Sequence, residues 1–359
     1  MVGILPDKLS LVCYANASSN KGAGHVMRCI AVSQGFQAVS DNQIDITFCF
    51  QYCADSLQMK LRTLGYTCVQ LNNSPWAEIK HLVPDILLVD DYDLNPQDWQ
   101  EIGEIDAYKI ALDDNVAEHY LPVQMIVNPA SSVSSLDYHK RCQPSTELCL
   151  GPQYAYLREE FSQQESLVLE QRQRLLITMG GSDLKKIGGL LASTLATLLP
   201  EVQIRWLMGN VNQYAESERA HYANFENLHC IGVCDNMAAE INQAGLAISA
   251  AGGTLGELAC LATPCLALVC IDNQHAALSA RRERQVHWFE VYDLRSFEAY
   301  QQTQTGDQEI VKKINEICHD AVNLWHDQKR RSDMSKIASR LVDSLGCQRI
   351  AQRALRTIQ

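Results

Sequence analysis

Three glycine-containing segments of the chain could bind an anion. They cover residues 18–29, 179–183 and 249–257, and each follows an apolar run that is typical of a β-strand. Glycine lets a ligand approach the backbone closely, and the free N–H groups at the start of a following helix favour a phosphate. A single such segment is as consistent with a tight turn as with a binding loop. Three of them, all at strand ends, favour ligand binding.

His25 and Arg28 come directly after the glycines of the first segment. They are three residues apart and therefore share one face of the predicted helix. A histidine changes charge near neutral pH and is suited to general-base catalysis. An arginine beside it can hold a diphosphate. From residue types alone, a catalytic and a structural role for His25 are equally consistent with the pattern.

Other polar residues at strand ends have two interpretations each. Glu257 completes the pattern T-x-x-E with Thr254, which is typical of a helix capping box, but its carboxylate could also accept bonds from ribose hydroxyls. Asn273 and Gln274 follow the next predicted strand and could hold phosphate or sugar groups. Five carboxylates end two earlier strands and could bind Mg²⁺, hold sugar hydroxyls, orient a base or cap helices; they are Asp90, Asp91, Asp93, Asp113 and Asp114.

Several function classes are disfavoured by motifs and charge. The pattern G-x-x-x-x-G-K-[ST] is absent, and the first glycine segment continues with His25 where a dinucleotide-binding fold would have G-x-G-x-x-G. The net charge of −12 argues against binding to nucleic acid or to an anionic membrane surface. The longest apolar run, 246–271, is interrupted by glycines, Glu257 and Pro264, so no membrane span is expected.

The 14 cysteines indicate a cytoplasmic protein with reduced thiols. The chain has no C-x-x-C pattern, and Cys13, Cys49, Cys265 and Cys270 lie inside apolar runs, where a thiol behaves as a small hydrophobe. Residues 1–6 are too short for a signal peptide. We therefore expect neither disulfides nor a metal site built from cysteines.

Alternating strand and helix patterns predict two α/β domains with parallel sheets, at 1–160 and 161–359. The residues 162–174 are predicted to form a linker or surface helix, 296–308 a loop, and 330–358 a helical tail that could pack back on the first domain. A site is expected where strands end, in a cleft between the domains. The predicted strands are 10–15, 45–50, 67–71, 85–91, 109–114 and 124–128, followed by 174–179, 203–209, 228–232, 245–250 and 264–270.

Together these motifs resemble the PseG family of UDP-2,4-diacetamido-2,4,6-trideoxy-β-L-altropyranose hydrolases. The resemblance rests on GAGHVMRC, VDDY, LDD, GPQYAYLREEF and LITMGGSD, in this order, at 22–29, 89–92, 112–114, 151–161 and 176–183. Residues 250–274 also resemble the nucleotide-binding segment of MurG-type glycosyltransferases, and 334–352 resemble the closing region of the PseG family. The resemblance covers nearly the whole chain, but 115–132 depart from the family pattern and leave the sugar unspecified.

The resemblance implies a GT-B-like fold of two Rossmann-like domains facing a central cleft, with UDP held mainly by the second. It implies hydrolysis of the anomeric C–O bond of a UDP-diacetamido sugar with inversion, without metal or cofactor, in the pseudaminic acid pathway that serves flagellin glycosylation. A GT-B glycosyltransferase is the alternative activity, and a non-catalytic nucleotide-sugar-binding protein is a further one. Three residues are assigned to catalysis: His25, Tyr92 and the strand-end acid Asp90.

The remaining candidates are assigned to substrate binding. Glu257 matches a ribose-binding glutamate of the family, and Asn273 matches an amide near the phosphates, with Gln274 beside it. Arg28 is expected to stabilise the leaving diphosphate. The backbone-binding candidates are Gly22 and Gly24 in the first segment, Gly180, Gly181 and Ser182 in the second, and Gly252, Gly253 and Thr254 in the third.

Overall fold

The computed structural model divides the chain into two compact units. The first comprises Met1–Glu159 together with Leu345–Gln359, and the second is Glu160–Ser344. The second unit therefore ends before the last helix, whereas the domain predicted from the sequence extended to 359. The structure describes residues 8–17, 23–114, 116–181, 183–209, 219–232, 234–283, 286–301 and 307–358. Gly22 and Ser182, two of the predicted substrate-binding residues, lie outside these ranges.

A seven-stranded parallel sheet forms the centre of the first unit, in the order β3-β2-β1-β4-β5-β6-β7. Its strands alternate with helices because each parallel crossover needs a long connection. The strands are β1 (Leu9–Ala15), β2 (Ile44–Phe50), β3 (Thr67–Gln70), β4 (Ile86–Asp90), β5 (Tyr108–Leu112), β6 (Met125–Asn128) and β7 (Glu147–Leu150). The helices are α1 (Gly24–Val39), α2 (Asp55–Thr63), α3 (Pro75–His81) and α4 (Pro96–Gly103).

Both faces of this sheet are buried, as the continuous apolar runs predict. On β1, Leu11 and Cys13 belong to the apolar cluster that contains α1, whereas Val12 and Tyr14 belong to the cluster on the opposite face, with Trp76 of α3. Alternate residues of one strand thus supply two cores. The sheet is therefore fixed on both sides, and its carboxyl edge is a rigid platform for side chains.

The last helix of the chain, Gly346–Ile358, packs against α1 in the first unit. The two helices approach closely at Gly35, where an added Cβ would lie 2.6 Å from the backbone carbonyl carbon and oxygen of Cys347. No L side chain fits at that distance, so the approach depends on glycine. Helix α1, which carries His25, is therefore held between the sheet and the C-terminal helix.

The second unit contains a six-stranded parallel sheet in the order β10-β9-β8-β11-β12-β13. The strands are β8 (Arg174–Thr178), β9 (Gln203–Leu207), β10 (Leu228–Ile231), β11 (Ala244–Ala250), β12 (Cys265–Val269) and β13 (Phe289–Asp293). The helices are α5 (Glu159–Ser162), which begins one residue before the unit boundary, α6 (Gly188–Leu198), α7 (Met237–Asn242), α8 (Thr254–Cys260), α9 (His275–Arg282), α10 (Asp307–His326) and α11 (Gln328–Ala338). The C-terminal helix of the first unit is α12.

Most of the segment 162–174 is exposed, in keeping with the polar surface linker that its composition predicts. Its first residue ends α5, Leu169–Gln171 form a short 3-10 helix, and Arg172 is buried with 4% of its surface exposed. The Arg172 guanidinium donates to the Leu167 carbonyl at 2.6 and 3.0 Å and to Thr263 Oγ1 at 2.9 Å. Burial lowers the pKa of Arg172 to about 10. A charged residue here therefore anchors the segment to the second unit.

Two further predicted segments are modified by the structure. The predicted loop 296–308 includes the start of helix α10 at Asp307, and 302–306 lie outside the described residues. The predicted helical tail is two helices, α11 and α12, separated by 339–345.

All fourteen cysteines are free thiols, and the four in apolar runs are buried. In the described part of the chain, no helix is long and apolar enough to cross a membrane.

Candidate active site

Side chains from three neighbouring elements meet at the carboxyl edge of the first sheet. Strands β1, β4 and β5 are adjacent, and α1 begins shortly after β1. Asp90 is the last residue of β4, Asp114 lies two residues beyond β5, and His25 is the second residue of α1. Parallel strands bring their carboxyl ends to one edge, so these residues come together although the chain separates them widely.

His25 and Asp90 form a buried pair. His25 Nδ1 lies 2.7 Å from Asp90 Oδ1, and the two residues are 5% and 0% exposed. Burial opposes ionisation of Asp90, but the positive charge of Arg28 and the hydrogen bonds from His25 and Arg28 outweigh it and lower the pKa of this carboxyl. An ionised carboxylate can only accept, so Nδ1 carries a proton and donates it. In the neutral imidazole, Nε2 is then the nitrogen with the lone pair, as a general base requires.

Arg28 is bound to carboxylates on two sides. Its Nε and Nη2 donate to Asp90 Oδ2 and Oδ1 at 2.8 and 2.6 Å, and its Nη1 donates to Tyr92 Oη at 3.1 Å and to Asp114 Oδ2. Nη2 also lies 2.9 Å from His25 Nδ1, which adds no hydrogen bond when that nitrogen is protonated. The sequence predicted that Arg28 holds a diphosphate. In the structure its donors instead fix Asp90 and Asp114.

Tyr92 contacts both ends of this cluster. Its hydroxyl donates to Asp114 Oδ1 at 2.5 Å, and its ring packs edge-on against the His25 imidazole, with centroids 4.3 Å apart and an interplanar angle of 75°. Burial and the Asp114 carboxylate raise the pKa of Tyr92 above its ordinary value. The hydroxyl therefore stays protonated at neutral pH, and Tyr92 contacts His25 through its ring.

The strand-end acids divide into two groups. Asp91 accepts from Asn16 Nδ2 at 2.7 Å and from the Asp93 backbone N–H at 3.1 Å. Asp113 accepts from the Ala117 backbone N–H and from the Tyr138 hydroxyl, and burial raises its pKa. These contacts anchor the turns after β4 and β5. Asp90 and Asp114 are the two acids that the structure brings to His25 and Arg28.

Sequence reasoning missed Tyr156. The Arg28 guanidinium carbon lies 5.8 Å from the centre of the Tyr156 ring, and the Tyr156 hydroxyl donates to the Val127 carbonyl at 2.8 Å. This cation–π contact covers a guanidinium that already makes ion pairs. The residue lies in the segment GPQYAYLREEF, which carried part of the resemblance, so the signal was present without a role attached to it.

Glycine backbones line the carboxyl edge of the second sheet. Strands β8, β11 and β12 are adjacent, so the segments that follow them lie at one edge. Gly180 has φ +81°, and a Cβ built there or at Gly253 would meet no atom within 4 Å. Gly252 and Gly253 are exposed. A ligand could approach these backbones closely, as the glycine pattern predicts.

Gly209 is a further glycine that the sequence did not single out. It has φ +86°, and a Cβ there would lie 2.5 Å from the Gly181 carbonyl oxygen and 2.6 Å from that of Gly180. A left-handed φ and a close backbone contact together require glycine. Gly209 thus supports the loop after β8 from the end of the neighbouring strand β9.

The capping-box interpretation of Glu257 is wrong. Helix α8 begins at Thr254, with Gly253 as the N-cap residue and no side-chain hydrogen bond to cap it. Glu257 is therefore the fourth residue of the helix, one position beyond the place where a capping box needs it. The side chain of Glu257 is partly exposed. Helix α1, which begins at Gly24, also lacks a side-chain hydrogen bond that caps its N-terminus.

Asn273 and Gln274 differ in their surroundings. Gln274 Oε1 accepts from the Cys270 backbone N–H at 2.8 Å, and its Nε2 lies 3.9 Å from the position of a Cβ on Gly252. Gln274 therefore braces the turn after β12 and lies next to the turn after β11. Asn273 is exposed. Next to it, Arg295 pairs with Asp293 at 2.8 Å and with Asp272 at 3.0 Å, an arrangement that the sequence did not predict.

Comparisons with known proteins give distant sequence relatives. No family model matches the chain. The chain is similar to UDP-2,4-diacetamido-2,4,6-trideoxy-beta-L-altropyranose hydrolase of Campylobacter jejuni, with 23% identity over 268 residues, 73% of this chain and 92% of that protein. It is also similar to the spore coat polysaccharide biosynthesis protein SpsG of Bacillus subtilis, with 24% identity over 273 residues, 73% of this chain and 78% of that protein.

Solved structures share the architecture at lower identity. Acinetobacter baumannii MurG superposes with a TM-score of 0.60 at 15% identity, covering 97% of this chain and 99% of that one. The UDP-GlcNAc 2-epimerase of Neisseria meningitidis, solved with UDP-GlcNAc, superposes with a TM-score of 0.63 at 12% identity, covering 97% and 100%. With the two parallel α/β units, these likenesses show a GT-B-like fold. The resemblance to the PseG hydrolase that the motifs predict is found over 73% of the chain.

Proposed function

We propose that this protein is an enzyme that hydrolyses a UDP-sugar at the anomeric carbon. The observation that carries the proposal is the buried pair of His25 and Asp90, with Nδ1 bound to the carboxylate and Nε2 left to accept a proton. The relative from Campylobacter jejuni, with which the chain aligns over 92% of that protein's length, is named as a hydrolase of a UDP-diacetamido sugar. A base held in one tautomer is the group that such a hydrolysis needs.

We assign the nucleotide to the second unit. The diphosphate is proposed to lie on the loops at 180–182 and 252–254, where the glycine backbones can be approached closely. Glu257 is proposed to accept bonds from the ribose hydroxyls, because its partly exposed side chain lies on the helix that follows the glycines at 252 and 253. Asn273 is proposed to contact the phosphates. Gln274 fixes the turn after β12 through its bond to Cys270 and lies beside Gly252.

In the proposed reaction, His25 Nε2 takes a proton from water as the water oxygen bonds to the anomeric carbon. The bond between that carbon and the UDP oxygen breaks, and UDP leaves with the electron pair, which inverts the configuration. Asp90 stabilises the imidazolium that forms. Since UDP is a good leaving group, no general acid, metal or cofactor is assigned. The backbone N–H groups around the phosphates stabilise the charge that develops on UDP.

Arg28 has a different task from the one that its sequence position suggested. Its guanidinium fork holds both oxygens of Asp90, so it is a positioning residue for the base. Gly24 starts the helix that carries the base and leaves open space where a side chain would be. We therefore assign the stabilisation of the leaving diphosphate to the second unit.

The finer proposal names the sugar. Because the Campylobacter relative is a hydrolase of such a sugar, we propose a UDP-2,4-diacetamido-2,4,6-trideoxy sugar as substrate. The motif resemblance extends this proposal to the cytoplasmic synthesis of pseudaminic acid for flagellin glycosylation. The described residues contain no group of three His, Cys, Asp or Glu side chains placed to hold a metal ion. The proposed substrate is small and anionic, in keeping with the glycine loops.

A glycosyltransferase is the second candidate, since the structurally similar MurG belongs to that class by fold. The two functions differ in what attacks the anomeric carbon: water or an acceptor hydroxyl. The discriminating experiment incubates the full chain with UDP-2,4-diacetamido-2,4,6-trideoxy-β-L-altropyranose without any acceptor and measures UDP release. Turnover without acceptor supports the hydrolase. UDP release that begins only when an acceptor is added would establish the transferase.

A further inference from the structure

Five side chains at the carboxyl edge of the first sheet contact one another in a closed ring. His25 bonds to Asp90, Asp90 to Arg28, Arg28 to Asp114, and Asp114 to Tyr92. The Tyr92 ring then packs edge-on against His25, which closes the ring at a centroid distance of 4.3 Å. Asp114 is two contacts away from His25 in this ring, and the sequence left its role open among several.

The ring carries three ionisable charges besides the histidine. Arg28 is positive, and Asp90 and Asp114 are negative, so the sum is one negative charge while His25 is neutral. When His25 takes a proton from water, the sum becomes zero. Arg28 would neutralise Asp90 if it had no second partner. Its Nη1 contact with Asp114 divides the positive charge between two carboxylates.

Asp114 also fixes the orientation of Tyr92. It accepts the hydroxyl proton at 2.5 Å, while the same hydroxyl accepts from Arg28 Nη1 at 3.1 Å. With both bonds made, the phenol cannot rotate, and its ring stays against one side of the imidazole. The other side of the imidazole is held by Asp90 through Nδ1. The histidine therefore has one tautomer and one orientation.

We propose that Asp114 is a positioning residue for the reaction at His25, a role that rests on the proposed hydrolysis. It supplies the negative charge that balances the imidazolium, and it holds Tyr92 against the imidazole ring. Asp114 touches neither water nor sugar in this proposal. Tyr92 accordingly acts through its ring, as a second positioning residue, and its hydroxyl takes no part in proton transfer.

The test compares three full-length variants with the wild type in the UDP-release assay. Asp114→Asn should lower kcat by roughly 10- to 100-fold with KM within about threefold, the size of coupling inside one hydrogen-bonded network. With kcat calculated per folded protein, a loss of folded protein would not produce this split between kcat and KM. Among the described residues, Asp90, Arg28 and Tyr92 contact His25, and Asp114 acts through the last two.

Tyr92→Phe keeps the ring and removes the bond to Asp114. It should lower kcat less than Asp114→Asn does, and the double variant should be no slower than Asp114→Asn alone. If the two single losses in kcat multiply in the double variant, the two residues act independently and the proposed coupling through the ring is wrong. The control is Asp45→Asn at an exposed ion pair with Lys8, where the same loss of charge should leave kcat and KM unchanged.

A measurement without substrate separates this proposal from the proposed function. In ¹⁵N-labelled protein, the His25 ring should show a protonated Nδ1 and an unprotonated Nε2 at neutral pH. Asp114→Asn should shift the His25 ring signals at fixed neutral pH, because Tyr92 loses the bond that holds it against the imidazole. Unchanged ring signals in a folded variant would overturn the role of Asp114 even if the wild type hydrolyses the sugar. A wild type without turnover, but with the predicted shift, would remove only the proposed function.

Discussion

Replacing Asp90 with asparagine should separate the catalytic from the structural role of this carboxylate. Asparagine has nearly the same shape, but it cannot offer a charge to the imidazolium. Arg28 Nε donates to the position of Asp90 Oδ2, so an amide oxygen kept there places the amide NH₂ group at the position of Oδ1, facing His25 Nδ1, which favours the wrong tautomer. We expect kcat to fall by roughly 10²–10⁴, the range for loss of a general-base contribution. Affinity for UDP should change little, since the nucleotide is assigned to the second unit.

The same substitution should lower stability by an amount that can be bounded from the contacts. Breaking a fully buried ion pair costs about 3–5 kcal/mol. Arg28 keeps its contact with Asp114, so we expect the free energy of unfolding to fall by about 2–3 kcal/mol, at or below the lower end of that range. For a unit of this size, 1 kcal/mol corresponds to about 2–4 °C in Tm, which gives a decrease of roughly 4–12 °C.

The pH dependence of this decrease has a definite sign. The folded pKa of Asp90 lies below its ordinary value of 3.8. Its contribution to stability is therefore fully present above that pH and is lost as the pH falls through the lower folded value. The Tm difference between wild type and Asp90→Asn should be constant near neutral pH and shrink below about pH 4. Calorimetry across this range measures it, together with UDP titration and UDP release. Near-normal turnover in a folded Asp90→Asn protein would refute the assignment of Asp90 as partner of the base.

Three further outcomes follow from the site. His25→Ala should keep its affinity for UDP and lose roughly 10²–10⁴ in kcat. When the wild type hydrolyses its substrate in ¹⁸O-water, prompt analysis of the products should find the label in the sugar. Label in UDP would mean that water attacks phosphorus. Turnover should survive EDTA, and loss that Mg²⁺ restores would assign a metal to the site. Gly209→Ala should weaken UDP binding, because its Cβ would lie 2.5 Å from the Gly181 carbonyl oxygen and displace the loop after β8. Titration with UDP measures the affinity, and Gly65→Ala is the control, at another positive φ without a close contact. Equal affinity in wild type and Gly209→Ala would contradict the role of that loop.

Much of the architecture could be predicted because buried parallel strands have a simple signature. The runs that became β1, β4 and β11 are apolar on both faces, and each was predicted to within two residues. Strands β7 and β13 were missed because the charged residues Glu147 and Glu290 interrupt their apolar runs. Both strands lie at sheet edges and are only partly buried, which tolerates a charge inside the strand, whereas the edge strands β3 and β10 contain no charged residue other than a histidine and were predicted.

The site was predictable in its residue types and less so in its contacts. His25 and Arg28 are three residues apart, so their common face follows from helical spacing. The contact of Arg28 with Asp114 spans 86 residues and exists because β5 lies beside β4, an order that no local pattern contains. An arginine beside a glycine turn looks like a phosphate ligand from the sequence. Only the sheet order shows that the carboxylates of Asp90 and Asp114 accept its hydrogen bonds.

The packing of α12 on α1 gives synthesis of the chain a fixed order of events. Gly35 and Cys347 touch, yet the ribosome adds roughly 300 residues between them, which at common elongation rates takes about 15–60 s. During that time α1 lacks the helix that covers it, and every strand of the second sheet is made before that helix. The second unit can therefore fold on the ribosome first, and the first unit, which carries His25, is completed last. A chaperone that shields exposed apolar helices would act on the nascent chain in this interval.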